Sequence, residues 1–307
     1  MKRLPTAPMV GGGSVRQVKF GLFYNTGFLG NDPDLMVAAA RQAEACGFES
    51  FYVPEHIALY PGAGLGGAVI PADTPVADPL TCLAFVAAAT ERILLGTGVL
   101  LLPYHHPVAL AKRLATLDVL SKGRMRLLTM GVGALPGEAA AGGVDFATRG
   151  RRADEAIDVL RLLWSGGEDG VSYDGEFFSF TSLCSYPKPL GPTGSLPIHV
   201  GGSSPAAARR AGQRGDGYFP GGRLTRAERD AQLELMRETA HAAGRDPGAL
   251  EVTRWGSIDM TADDVAAHAA QGTTRLVVGP SATDEAGQRA EISAFAERLG
   301  RLAPGAG

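Results

Sequence analysis

Two constellations in this 307-residue chain have the residue types and spacing for chemistry. The first is Glu55-His56, which follows the apolar run Phe51–Val53 and precedes a stretch rich in glycine and proline at 57–77. Histidine titrates near neutral pH, so His56 at a strand end can pass a proton to or from a substrate atom that exchanges a hydride, with Glu55 as the adjacent acid. The competing reading has His56 only shaping a pocket. The second constellation is Leu196–Pro205, where an apolar strand runs into Gly201-Gly202-Ser203-Ser204 and then a helix opened by proline. Glycine backbone N–H groups approach an anion closely, the hydroxyls donate to it, and the helix N-terminus favours negative charge. That makes a phosphate socket. The same residues also fit a tight turn with a Ser cap, since no Lys stands where a nucleotide P-loop needs one.

The elements that must position these residues alternate along the chain. Strands are predicted at 18–24, 51–53, 93–102, 125–130, 196–200, 217–220, 251–258 and 274–278. Helices follow Asp32-Pro33, Asp78-Pro79, Pro107, Arg149 and Pro205, and further helices cover 226–243, 262–271 and 284–299. About eight strand–helix pairs with right-handed crossovers predict a (β/α)8 barrel spanning 18–307 as one domain, behind a loose arm at 1–17. Two excursions interrupt the rhythm. Val171–Pro189 alternates aromatic and polar residues around Asp174-Gly175 and reads as an inserted β-hairpin. Ile57–Ala77 follows a strand's C-terminal end, where barrel enzymes keep their lids, and brings Tyr60 to the substrate side. Tyr104 and His105, at another strand end, are further pocket candidates, and His199, inside a strand, reads as a core histidine. The competing architecture is an open doubly wound sheet, supported by Gly131-Val132-Gly133 after a strand, but Pro136 interrupts that turn and the third glycine is misplaced.

Composition narrows the function classes. Apolar residues make up 45%, enough for a large core, and the formal net charge of -3 comes without a basic stripe, which argues against nucleic acid. No apolar run reaches membrane-spanning length and no signal-peptide pattern opens the chain. Cys46, Cys82 and Cys184 are widely spaced and odd in number, which suits reduced thiols in a cytoplasm and offers no metal spacing. A small-molecule partner is expected.

With these residues in view, the chain resembles the luciferase-like monooxygenase superfamily, in particular its deazaflavin (coenzyme F420)-dependent oxidoreductases. The matching text is FGLF at 20–23, SFYVPEH at 50–56, the long run 89–124, GVG at 131–133, RGRRADEAIDVLRLLW at 149–164 and PIHVGGSSPAAARRAGQRGDGYFP at 197–220. The resemblance implies a barrel that binds a flavin or deazaflavin at its C-terminal mouth, commonly as a homodimer. It implies a non-prolyl cis peptide and bulge within Gly96-Thr97-Gly98-Val99, behind the ring, with Gly131 and Gly133 beside it. Gly201, Gly202, Ser203 and Ser204 match the phosphate-side loop and Gly221-Gly222 a second loop at the same phosphate, near Arg223. Ala134 stands where relatives carry a large or acidic residue, in some a proton-donating carboxylate. Glu138 keeps its place, read as a helix cap or the partner of a neighbouring cation.

The expected activity is hydride transfer between F420 and an apolar small organic substrate, with His56 as acid or base. Two alternatives stand beside it. One is an FMN-dependent monooxygenase, fed with reduced flavin by a separate reductase. The other is a cofactor-binding protein without turnover, which the missing donor at Ala134 would suit.

Overall fold

Strands whose residues are apolar on both faces need cover on both sides, and helices between them supply it. In the computed structural model, which describes residues 18–65, 67–191, 193–221 and 224–300, they close into a (β/α)8 barrel. The expected arm at 1–17, together with Gly222 and Arg223, lies outside the described residues. The strands are β1 (Lys19–Phe23), β2 (Ser50–Val53), β3 (Gly64–Leu65), β4 (Ala68–Val69), β5 (Leu94–Leu101), β6 (Met125–Gly131), β7 (Val171–Asp174), β8 (Ser179–Leu183), β9 (Ile198–Gly201), β10 (Gly217–Phe219), β11 (Glu251–Trp255) and β12 (Arg275–Val278). Around the barrel the order is β1-β12-β11-β10-β9-β6-β5-β2, all parallel, and β1 pairs with both β12 and β2. That closure removes the doubly wound alternative.

The helices are α1 (Thr26–Leu29), α2 (Pro33–Ala45), α3 (Pro79–Ala89), α4 (Pro107–Leu120), α5 (Pro136–Ala141), α6 (Arg149–Ser165), α7 (Pro205–Arg214), α8 (Arg226–Ala242), α9 (Ala262–Ala269) and α10 (Glu285–Arg298). The Asp-Pro starts act as read: Asp32 accepts the Asp34 N–H at 2.9 Å and Asp78 the Thr81 N–H at 2.7 Å. α1, α5 and the β3–β4 hairpin went unforeseen because each is too short to show a hydrophobic period. The hairpin around Asp174-Gly175 is present as β7–β8. It is tied to α6 by Glu155, whose carboxylate accepts the Phe177 and Phe178 N–H groups at 3.0 and 2.9 Å.

The barrel interior holds a core of its own. Tyr52 sits at its centre, fully buried, and the neighbouring strands carry Gly21 and Gly96 because a Cβ at either would lie 2.7 or 2.8 Å from the Tyr52 ring. Leu127, Phe219 and Val277 join Tyr52 in a small core, with Phe23 and Trp255 packed against it. The Phe23 and Trp255 rings meet edge to face at 4.8 Å between centroids. The outer core between sheet and helices is larger and is anchored by Trp164, Phe51 and Phe295, each 2% exposed or less.

Charge is concentrated at the N-terminal end of the barrel. Arg275, 1% exposed, is clamped by Glu49 at 2.5 and 3.1 Å and by Glu251 at 2.8 Å. Burial pushes the Glu251 carboxyl up, but Arg275 prevails and holds it at about 2. His199 lies beside this cluster, buried as a core residue, with Nδ1 unpartnered among the described residues and Nε2 3.6 Å from Glu251. Burial, assisted by Arg275, lowers its pKa from 6.5 to about 4. The unfolded chain therefore binds the extra proton between these values. Stability contributed by neutral His199 is complete above about pH 6.5 and is lost as pH falls towards 4, to the order of 3 kcal/mol. His199→Gln should flatten the pH dependence of the urea midpoint across that interval; a variant with the parent's slope would disprove the assignment.

Candidate active site

The C-terminal ends of β2, β5, β6 and β9 open on a cavity of about 550 Å3. This is the end where barrel enzymes build their sites. Its lining unites residues far apart in sequence: Glu55 and His56 after β2, Gly98 and Val99 on β5, Gly131, Gly133 and Ala134 after β6, and Gly201–Ser204 between β9 and α7. A larger cavity of about 790 Å3 lies at the opposite end, between α6 and the approach to β9. Its charged groups are already ion-paired, Arg126 with Asp118, Arg161 with Asp216 and Asp158 with Arg214, so it offers structure rather than reactivity.

On β5 the register against β6 shifts between Gly98 and Leu100, and the Gly98–Val99 peptide is cis. The bulge turns the Val99 side chain between two neighbouring strands. A Cβ at Gly131 would lie 2.6 Å from Val99 Cγ2, and one at Gly201 would lie 2.8 Å from Val99 Cγ1. The glycines thus make room for Val99, which forms the wall of the slot. Thr97 does not line the cavity. It is fully buried in the strand, and its hydroxyl donates to the Thr129 carbonyl at 2.8 Å.

The loop after β9 is pinned by its carbonyls. Gly221 N–H donates to the Gly202 carbonyl at 3.3 Å, Tyr218 Oη lies 3.0 Å from the same carbonyl, and Gln232 Nε2 donates to the Ser203 carbonyl at 2.9 Å. Ser204 caps α7, accepting the Ala207 N–H at 3.2 Å. The Gly202 N–H, expected to face an anion, donates instead to the Phe219 carbonyl at 3.2 Å. Among the described residues the N–H groups of Ser203, Ser204 and Ala206 have no partner, so the donor set has moved one step into the helix start. Gly221 stands behind the loop, where a Cβ would lie 2.8 Å from Ser203 Cβ. Arg149, which sequence reasoning missed, also lines the cavity. Its Nε donates to the Gly133 carbonyl at 3.2 Å, its guanidinium lies 3.5 Å over the Phe146 ring, and among the described residues no carboxylate pairs with it.

Because β2 ends at Val53, strand alternation no longer separates Glu55 from His56, and both reach the cavity. Two His–carboxylate pairs result. His56 Nδ1 lies 3.1 Å from Glu138 Oε2, while Nε2 has no protein partner among the described residues. Glu55 is buried and accepts the Leu101 N–H at 2.5 Å and His105 Nε2 at 3.0 Å. Its carboxylate is therefore committed to tying the end of β5 to the end of β2. His105, Tyr60 and Tyr104 do not line the cavity. Tyr60 accepts the Gly137 N–H at 3.3 Å, and Tyr104 lies against Gly133, its buried hydroxyl unpartnered among the described residues and its pKa pushed up to about 12 by burial and by Glu138. Glu138 was legible as a cap or as the partner of a neighbouring cation, but His56 was not identified as its partner, since no local pattern shows that α5 folds back onto the residues after β2.

The closed parallel barrel thus brings together at its C-terminal mouth a histidine paired with a buried carboxylate, a helix N-terminus and a glycine-lined slot beside Val99. Residues 17–298 match the family model described as luciferase-like monooxygenase, and the chain belongs to that family of oxidoreductases. It is 32% identical over 288 residues to an uncharacterised protein of Mycobacterium tuberculosis, covering 84% of this chain and 98% of that one. It is 34% identical over 250 residues to the F420-dependent hydroxymycolic acid dehydrogenase of the same organism, covering 80% and 64%. A solved monooxygenase from Streptomyces bottropensis superposes with a TM-score of 0.72 at 23% identity, over 92% of this chain and 98% of that one. Among the described residues no helix is long and apolar enough to cross a membrane.

Proposed function

We propose that this chain is an F420-dependent oxidoreductase that moves a hydride between the deazaflavin and an apolar small organic substrate held under the 57–77 loop, with His56 carrying the proton. The observation that carries the reading is the orientation of His56: Nδ1 engaged by a buried carboxylate, Nε2 left to a cavity walled by Val99 and bounded by the Gly201–Ser204 loop. The F420-dependent dehydrogenase among the relatives supports the choice of cofactor.

The residues present suit such a cofactor. The N–H groups at the start of α7 and the guanidinium of Arg149, without partners or paired carboxylates among the described residues, suit its phosphodiester, and the glycine-lined slot beside Val99 suits a flat ring. When bound, the deazaflavin supplies or accepts the hydride. The chain's own residues then do three things. Val99, Leu101, Val132 and Ala134 present an apolar surface to the substrate. His56 Nε2 takes the hydroxyl proton when a carbinol carbon gives up its hydride, and returns it when a carbonyl is reduced. Glu55 holds the strand ends in register. With Ala134 in the place of a carboxylate, no second acid of that position competes with His56.

Titration of the purified protein with F420 and with FMN, read by fluorescence quenching, tests the proposal. We expect F420 to bind at least about tenfold more tightly, a difference of about 1.4 kcal/mol. Tighter FMN binding would replace it with the flavin monooxygenase reading, and binding of neither would overturn both.

A further inference from the structure

One carboxylate serves two purposes at the mouth of the barrel. Glu138, 1% exposed, stands in the first turn of α5, yet its oxygens point away from that helix towards residues 56–58. Oε1 accepts the Ile57 N–H at 2.6 Å and lies 3.4 Å from the Ala58 nitrogen, while Oε2 lies 3.1 Å from His56 Nδ1. Ile57 and Ala58 are the first residues of the 57–77 loop. That loop meets α5 a second time through Tyr60, whose hydroxyl accepts the N–H of Gly137, the residue before Glu138. Gly137 has no room for a side chain here, since a Cβ would lie 2.5 Å from the Tyr60 ring.

A carboxylate only accepts hydrogen bonds, whereas a neutral imidazole carries its single hydrogen on one nitrogen or the other. Contact with Glu138 therefore places that hydrogen on Nδ1 and leaves the Nε2 lone pair facing the cavity. The backbone donors of Ile57 and Ala58 hold the carboxylate where it can do this. Withdrawal of the loop root would free the carboxylate to swing and would release the imidazole from its tautomer.

We propose that Glu138 is a positioning residue that couples the seating of the 57–77 loop to the tautomer of His56, so that the proton-accepting form of His56 is set only while the loop root is in place. The catalytic consequence rests on the proposed role of His56, but the coupling itself is a property of the protein alone.

Nitrogen-15 NMR of the histidine-labelled full chain, above the titration range of the imidazoles and with His56 assigned from a His56→Gln spectrum, reads the tautomer directly. In the parent protein we expect the hydrogen on Nδ1. Glu138→Gln keeps the shape and can still accept from Ile57 through its carbonyl oxygen, but its amide must donate to His56 Nδ1, so the hydrogen should move to Nε2. Glu138→Ala should give a mixture of tautomers and raise amide hydrogen exchange at Ile57 and Ala58 at least about tenfold, the signature of local opening. Thermal unfolding establishes that both variants are folded. If Glu138→Ala fails to fold, Glu138→Asp, whose shorter arm cannot reach both donors, takes its place. The same tautomer in the parent and Glu138→Gln, or unchanged exchange at the loop root in the shortened variant, would overturn the coupling. Cofactor titration is independent of these signals, so failure of the F420 reading would leave the NMR result standing.

Discussion

His56→Ala lowers turnover by roughly 100-fold to 10,000-fold while cofactor affinity changes little, if His56 moves the proton. The expected size follows from the loss of a positioned acid–base group, and the separation of binding from chemistry follows from the geometry. His56 meets the cavity at the end of β2, whereas the candidate anion donors stand at the start of α7 and at Arg149. Kinetics and cofactor titration on the same preparation provide the measurement. A variant that keeps near-normal turnover but binds cofactor poorly would make His56 a ring contact. An unchanged pH profile in the variant would also remove the acid–base role.

Arg275→Met should cost about 3–5 kcal/mol of folding stability, the usual cost of leaving buried charge unpaired. Arg275 is the shared partner of Glu49 and Glu251, and without it the two carboxylates keep only the partly exposed Lys19, 3.0 and 3.5 Å away, against two negative charges at the N-terminal end of the barrel. The urea midpoint should fall with an unchanged denaturant slope. Combining Arg275→Met with Glu49→Gln, which leaves Lys19 and Glu251 as one opposite pair, should recover most of the loss, since the cluster then carries no uncompensated charge. A loss below about 1 kcal/mol in the single variant would show that water reaches the cluster and screens it.

Much of the architecture can be read without coordinates because it rests on short-range rules. Asp32-Pro33 and Asp78-Pro79 start helices through local caps, and the alternation around Asp174-Gly175 marks a hairpin, although its connection at 175–178 is held by the distant Glu155. The strand–helix alternation restricts the topology, because parallel neighbours need right-handed crossovers and closed sheets leave no edge. The site is legible in part. The residues after β2, the bulged β5 and the Gly-Gly-Ser-Ser loop stand out by type and by resemblance, and they do meet at one cavity.

What the sequence could not determine was the assignment of partners. Gly202 looks in sequence like an anion donor, and only pairing with Phe219 shows that its N–H is already engaged. Thr97 and Val99 are two residues apart, yet the bulge buries one hydroxyl in the wall and turns the other side chain into the slot. His56 and Glu138 are separated by 82 positions, and their contact depends on a six-residue helix with no periodic signal. Local sequence sets backbone conformation and burial pattern. The choice of which carboxylate a histidine meets is made by barrel closure, which brings the ends of strands distant along the chain within hydrogen-bonding distance.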